Sequence, residues 1–292
     1  MIFGIGKRAR ARWRGLPLLL AAALPFCISP CNAAGVPKSP VLVEPRAGAT
    51  AVFDEFDGPA GAPPNPALWD PAVGPYRDAG LQTYTSLPEN VRLDGSGHLV
   101  IQALSSPSGY TSARVVGKLD MQYGRVSARI KFPEGQGIWP AFWMLGSDYH
   151  LVGWPRSGEI DLMEIVSSAS TYHVTLHGPQ GQTDYLGGSD VSGQVVGTSG
   201  AIHNLSHDFH EYWLDWKPDS ITVGVDHIVL ASFTPASLPA GAEWVFNKPM
   251  FAILNIAIGG PWPGPPDAST PFPATMMVDW FRYTLPLDHI VG

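Results

Sequence analysis

Three carboxylates stand within six residues in the segment Gly158-Glu159-Ile160-Asp161-Leu162-Met163-Glu164-Ile165, whose other members are mostly apolar. On a strand, successive side chains point to opposite faces, so Glu159 and Asp161 share one side while Ile160 and Leu162 share the other. Strict alternation would push Glu164 among the apolar side chains, where an ionised carboxylate without a partner is very costly. A β-bulge at Leu162–Met163 resets the parity and returns Glu164 to the acidic face. Three acids on one row repel each other, and a merely structural strand has no reason to keep them there. The plain alternative is the solvated face of an edge strand. The aliphatic neighbours and the aromatic lead-in at Trp154 count against it.

Hydrolysis of a glycosidic bond needs such a grouping. One carboxylate attacks or stabilises the anomeric carbon, and a second, kept protonated, donates to the leaving oxygen; in retaining enzymes the two stand about 5–5.5 Å apart. Four effective strand positions separate Glu159 from Glu164, about 13 Å of backbone. Two Glu side chains leaning together across a bent strand close most of that gap, which favours retention over inversion. Asp161 between them would hold Glu159 in place, and its charge would raise the pKa of the neighbouring acid.

At these residues the chain resembles glycoside hydrolase family 16, whose pattern is Glu-Ile-Asp, one or two residues, then Glu. The form with Met163 inserted is similar to the laminarinase (endo-β-1,3-glucanase) branch. The resemblance runs from about residue 50 to 285. It takes in Tyr123-Gly124-Arg125, Gly137-Ile138-Trp139-Pro140-Ala141-Phe142-Trp143, Asp208-Phe209-His210, Asn255-Ile256-Ala257-Ile258-Gly259-Gly260 and Val278-Asp279-Trp280-Phe281-Arg282. It implies that Glu159 is the nucleophile, Glu164 the acid/base and Asp161 an assisting carboxylate, with no cofactor needed for catalysis.

The elements that must position these groups are strands. Val126, Ala128, Ile130 and Phe132 alternate with Arg125, Ser127, Arg129 and Lys131, the period of a half-buried strand. Residues 98–103, 211–216, 221–226, 249–257 and 276–284 read the same way, and Gly, Pro, Asn, Asp and Ser clusters separate them. No run of 12 or more residues carries the helical period. Many evenly spaced strands without helices predict an all-β sandwich or barrel. The resemblance sharpens this to a jelly-roll β-sandwich (concanavalin A-like) of two curved antiparallel sheets with a concave substrate cleft.

Sugar rings stack on aromatic faces. Ten tryptophans invite that reading, but most tryptophans in a sandwich are core, so position decides. Trp139 and Trp154 flank the acidic strand and are the expected platforms near the cleaved bond. Trp143 could equally be core. Trp262 lies in Gly259-Gly260-Pro261-Trp262-Pro263-Gly264, a loop too irregular to bury it, and resembles a cleft residue of the family. The resemblance further implies that Asn90, Arg114 and Asn255 hydrogen-bond sugar hydroxyls. His173 and His177 sit four apart, which on a strand is about 13 Å and too far for one zinc ion. His177 is read instead as a partner of Asp161 on the neighbouring strand. By the resemblance alone, a structural Ca²⁺ is implied at Glu55, Gly97 and Asp279, where backbone carbonyls and a carboxylate would suit a hard cation.

The N-terminus has Lys7, Arg8, Arg10, Arg12 and Arg14, an apolar run from Leu16 to Cys27, and Ala33-Ala34. That layout predicts a signal peptide over 1–34, followed by a Pro-rich linker over 35–48 and a catalytic domain over 49–292. The apolar run is too short to span a bilayer, so the protein is expected to be secreted, with no membrane attachment after the leader is removed. Both cysteines, Cys27 and Cys31, fall in this leader, so a mature form would have no disulfide; a lipid anchor on Cys31 is the rival reading. Losing five basic residues takes the formal charge from −7 to about −12, without the basic footprint of a nucleic-acid binder. The expected partner is a neutral β-glucan, cut internally by a monomer. Alternatives are another family activity (mixed-linkage glucanase, agarase or carrageenase, transglycosylase) and a lectin-like sandwich without catalysis. The intact Glu159/Asp161/Glu164 set speaks against the lectin.

Overall fold

A computed structural model of the chain describes residues 50–75, 80–181 and 194–285. The expected leader and linker, with both cysteines, lie outside these residues. Seventeen strands follow one another. The first seven are β1 (Thr50–Asp54), β2 (Trp69–Ala72), β3 (Gln82–Tyr84), β4 (Val91–Leu93), β5 (Leu99–Ser106), β6 (Gly109–Ser112) and β7 (Arg114–Gly117). Next come β8 (Gly124–Lys131), β9 (Ile138–Gly146), β10 (Glu159–Glu164), β11 (Thr171–His177) and β12 (Gln194–Ala201). The last five are β13 (His210–Lys217), β14 (Ser220–Val225), β15 (Ile228–Phe233), β16 (Met250–Ile258) and β17 (Ala274–Thr284). Among the described residues, helix is confined to one turn at Tyr149–Val152 and a 3₁₀ turn at Pro235–Ser237.

One sheet has seven strands in the order β12-β11-β10-β9-β16-β7-β2. The other has ten, in the order β15-β14-β13-β8-β17-β5-β6-β3, with β1 beside β17 and β4 beside β5. The pairings are antiparallel apart from β3 with β6. The architecture is the jelly-roll sandwich that the alternating runs and the resemblance predict. β5, β8, β13, β14, β16 and β17 start and stop within three residues of those runs.

Alternation explains why the sheets stack. Val126, Ala128 and Ile130 of β8 are fully buried and meet the core, as do Tyr212 and Leu214 of β13 and Val278 of β17. The seven-stranded sheet contributes Phe142, Met144, Ile160, Leu162, Val174, Leu176, Leu254 and Ile256. Phe142 and Phe281 meet edge to face across the layers, ring centroids 6.4 Å apart. Each such side chain adds about 1.5–3 kcal/mol when taken out of water, so packing alone can hold the sandwich together.

The two outer faces differ in chemistry. On the ten-stranded sheet, Arg125 pairs with Asp215 at 3.0 Å and Arg129 pairs with Asp279, which are solvated ion pairs. On the seven-stranded sheet, the outer face carries the acids and the aromatic rings.

Candidate active site

The parity break expected in the acidic segment is present. Against β9, Asp161 pairs with Trp143 while Met163 pairs with Phe142, so Leu162 is the extra residue of a bulge. The register with β11 shifts over the same stretch. Ile160, Leu162 and Met163 all enter the core, and Glu159, Asp161 and Glu164 all turn outward.

Register then lays the face out in rows. One row runs Arg114 (β7), Asn255 (β16), Ala141 (β9), Glu164 (β10), His173 (β11). The next holds Ile253, Trp143, Asp161 and Thr175. The third holds Phe251, Leu145, Glu159 and His177. Leu145 and Ala141 are four residues apart on β9, so Glu159 and Glu164 are separated by about 13 Å of backbone at the strand rise.

His177 sits directly across from Glu159 and joins the first two acids. Its Nε2 is 3.0 Å from Asp161 Oδ2 and 3.6 Å from Glu159 Oε1. The first contact has the length of an ion pair but lacks the alignment of a directed hydrogen bond. At the other end, Trp139 Nε1 donates to Glu164 Oε1 at 3.0 Å. Trp262 meets Trp139 edge-on at 5.2 Å and His173 at 4.8 Å, closing three rings around Glu164. Trp154 lies 5.8 Å from the His177 ring and donates a hydrogen bond to Glu159.

Burial and mutual repulsion push all three acids up. Burial is the larger cause for Glu159, followed by the charge of Asp161; the charges of His177 and Arg114 and the Trp154 hydrogen bond pull it back. Asp161 rises through burial. Glu164 rises well above the ordinary range, from burial first and then the charges of Asp161 and Glu159, against weaker opposition from His177 and Trp139. Three negative charges cannot coexist on this face at neutral pH, so the cluster keeps a proton. Glu159 and Asp161 are both pushed up to about 8; of the two glutamates, Glu159 has the stronger opposition to its rise, from the His177 and Arg114 sides and from Trp154. His173 is half-buried, and burial lowers its pKa, which favours the uncharged form of the ring next to Glu164.

Most of the residues singled out in the sequence converge here. Arg114 lies over the Trp143 ring at 4.5 Å and close enough to Glu159 for its charge to act there. Asn255 is buried, accepts from Trp143 Nε1 at 2.7 Å and donates to Tyr84 OH at 3.2 Å. Trp143 is therefore on the outer face and not in the core. Trp262 is 47 % exposed. Asn90 is a correction: it is 1 % exposed, and its Nδ2 donates to Gln102 O and Thr111 Oγ1 while its Oδ1 accepts from Thr85. With both amide hydrogens used inside the protein, it ties β4, β5 and β6 together and offers no donor to a sugar.

The implied calcium set is brought together only in part. A Cβ on Gly97 would stand 3.7 Å from both the Glu55 carbonyl and Asp57 Oδ1, so these two oxygens lie close to Gly97. The Asp279 carboxylate is instead paired with Arg129, and that of Glu55 with Arg282 at 3.0 Å. These pairs occupy one oxygen of each carboxylate, Oδ2 of Asp279 and Oε1 of Glu55. Among the described residues, the one group of three or more metal-capable side chains is Glu159, Asp161 and His177, and it is part of the acidic face itself.

Two contributors were missed in the sequence. In the sequence His173 stands out only as half of a histidine pair, although period-2 spacing puts it on the face of His177. Tyr84 carried no signal, since a buried tyrosine at the end of a three-residue strand looks like core.

Comparison with known proteins agrees with this arrangement. Residues 82–282 match the sequence pattern of Glycosyl hydrolases family 16. A Rhodothermus marinus β-glucanase is 36 % identical over 248 residues, 78 % of this chain and 82 % of that protein. A Sphingobacterium multivorum keratan-sulfate endo-1,4-β-galactosidase is 34 % identical over 248 residues, covering 80 % of this chain but 54 % of that one. The crystal structure of Pyrococcus furiosus endo-β-1,3-glucanase superposes with a TM-score of 0.71 at 37 % identity, covering 85 % of this chain and all of the other. A paired-carboxylate face on a jelly roll, matched over most of the chain by such relatives, leaves one conclusion: the protein belongs to glycoside hydrolase family 16 and is a glycoside hydrolase.

Proposed function

We propose that the protein is an exported endo-β-glucanase that cleaves internal β-1,3 linkages of a neutral glucan with retention. The observation that carries this reading is the unequal setting of two glutamates on one face: Glu159 beside His177 and Arg114, Glu164 beside indole rings and the half-buried His173. Glu159 attacks the anomeric carbon, and the glycosidic bond breaks as Glu164 gives its proton to the leaving oxygen. Glu164, now ionised, then takes a proton from water, and that water's oxygen displaces Glu159 from the sugar. Asp161 and His177 hold Glu159 in line, while Trp139, Trp154 and Trp262 supply flat apolar surface for sugar rings. Asn255 acts through Trp143, which it orients, and Asn90 through the strands it ties.

The glucan-cleaving activities named for the Rhodothermus and Pyrococcus proteins support glucan as substrate. The galactosidase relative favours a second reading, a galactan. The acidic balance of the chain counts against a sulfated one. Export is supported by the basic, apolar, small-residue layout at the N-terminus. A Ca²⁺ ion at Glu55, Gly97 and Asp279, with Asp57 Oδ1 lying close to Gly97, completes the proposal; a Tm that ignores added Ca²⁺ would remove it.

The test is product analysis on laminarin, lichenan, agarose and κ-carrageenan side by side, with the first-formed anomer read by NMR. Laminarin should be cut fastest, and the β-anomer should appear first. Faster cleavage of a galactan would overturn the substrate assignment, and an initial α-anomer would overturn retention.

A further inference from the structure

The loop that carries Trp262 reads Gly259-Gly260-Pro261-Trp262-Pro263-Gly264-Pro265-Pro266. Four of its residues are proline and have no N–H to donate. The Gly264 N–H is spent within the loop, on Gly260 O at 3.1 Å. Such a segment is anchored to its surroundings mainly through carbonyls, which need donors from elsewhere. Two side chains supply them. Gln136 Nε2 donates to Pro263 O at 3.0 Å and to Pro265 O at 3.1 Å. Ser167 Oγ donates to Pro263 O at 3.2 Å, and accepts from Gly137 N at 3.1 Å.

The anchor is itself held. Thr270 Oγ1, beyond the loop, donates to Gln136 O at 2.7 Å. Gly137 has φ +75°, and a Cβ there would stand 2.5 Å from Pro266 N, so the loop lies directly on the backbone beside Gln136. The Trp262 ring meets Trp139 and His173 only edge-on, and 47 % of the residue remains open. Its own packing therefore leaves much of its position to the loop.

We propose that Gln136 and Ser167 are positioning residues: they fix the Trp262 loop beside Glu164 and so set the affinity for the sugar unit that Trp262 covers. The inference rests on reading Trp262 as a sugar platform. Neither residue touches the acids, so the effect belongs to binding and not to bond cleavage.

The experiment measures kcat, KM and Tm for wild type, Gln136→Met, Ser167→Ala, Trp262→Ala and the Gln136→Met/Trp262→Ala double variant, on the polysaccharide cut fastest in the panel above. Methionine keeps the bulk of glutamine and removes both donors. Gln136→Met should raise KM about fivefold or more with kcat within about twofold, as expected for two lost hydrogen bonds. Ser167→Ala should follow with a smaller rise, and it carries the test if Gln136→Met does not fold. The double variant should be no worse than Trp262→Ala, because the clamp acts only through that ring. Multiplying effects in the double variant, or a fall in kcat at unchanged KM, would overturn the proposal. Wild-type KM in both Gln136→Met and Ser167→Ala beside a weakened Trp262→Ala removes the clamp alone. Wild-type KM in Trp262→Ala removes the platform and the clamp with it.

Discussion

At the scale of single residues, the acidic face trades stability for chemistry. Glu164 has a folded-state pKa well above its unfolded value, so the native state binds more protons than the unfolded chain between the two. Its contribution to stability is fully present below the unfolded pKa, about 4.3, and is lost as pH rises through the folded value. Glu164→Gln should therefore raise Tm little at pH 4.5 and clearly at pH 8, while turnover falls about 10²–10⁴-fold through loss of the proton donor. A Tm difference independent of pH would contradict this account. Asp161→Asn removes a negative charge that raises both Glu159 and Glu164. Both pKa values should drop and the bell of kcat/KM against pH should move toward acid, with a smaller rate loss than for either glutamate. A shift toward alkali would show that Asp161 acts in another way. Part of this was legible early, since residue type and spacing singled out the three acids. Asn90 was misread because its burial depends on Gln102 and Thr111, whose position beside it no local pattern reveals.

At the scale of elements, the bulge in β10 carries a prediction about parity. Deleting Met163 alone leaves Glu-Ile-Asp-Leu-Glu, in which the three acids alternate regularly and stay on one face. The variant should fold, lose about 2–5 kcal/mol for the missing buried side chain, and keep measurable hydrolysis. Deleting Leu162 and Met163 together moves the last glutamate to the position after Asp161, on the core face, and should abolish both activity and stable folding. Equal activity in the two deletion variants, measured on one glucan, would refute the parity argument. The strands were readable in advance because alternation is local. The row Arg114–Asn255–Ala141–Glu164–His173 was not, because it depends on how five strands far apart in sequence come into register.

At the scale of the molecule, charge decides what the face accepts. The chain is acidic, and the acids on the seven-stranded sheet lie on the face where the proposed function places the polymer. A sulfated galactan should be repelled at low salt, and its cleavage should rise as salt is taken from about 10 to 300 mM and the Debye length shrinks from about 30 Å to below 8 Å. Cleavage of a neutral β-1,3-glucan should stay flat over the same range. Rates on both substrates at each salt concentration test this; a salt-independent ratio would remove the electrostatic argument for a neutral substrate.

The sequence by itself determined an all-β sandwich or barrel and the parity break, because strand alternation and the cost of a buried bare carboxylate act between neighbours in the chain; the family motifs narrowed the first to a sandwich. It also singled out the paired acids and the exposed Trp262, through residue type and the lack of regular structure around it. Only the tertiary structure decided which polar side chains already have partners, buried as with Asn90 or at the surface as with Asp279, and which are brought to the acids, as with His173. Hydrogen bonds and ion pairs depend on atoms meeting within about 3 Å. Arg129 and Asp279 are 150 residues apart in sequence, and the pairing of β8 with β17 alone makes them neighbours.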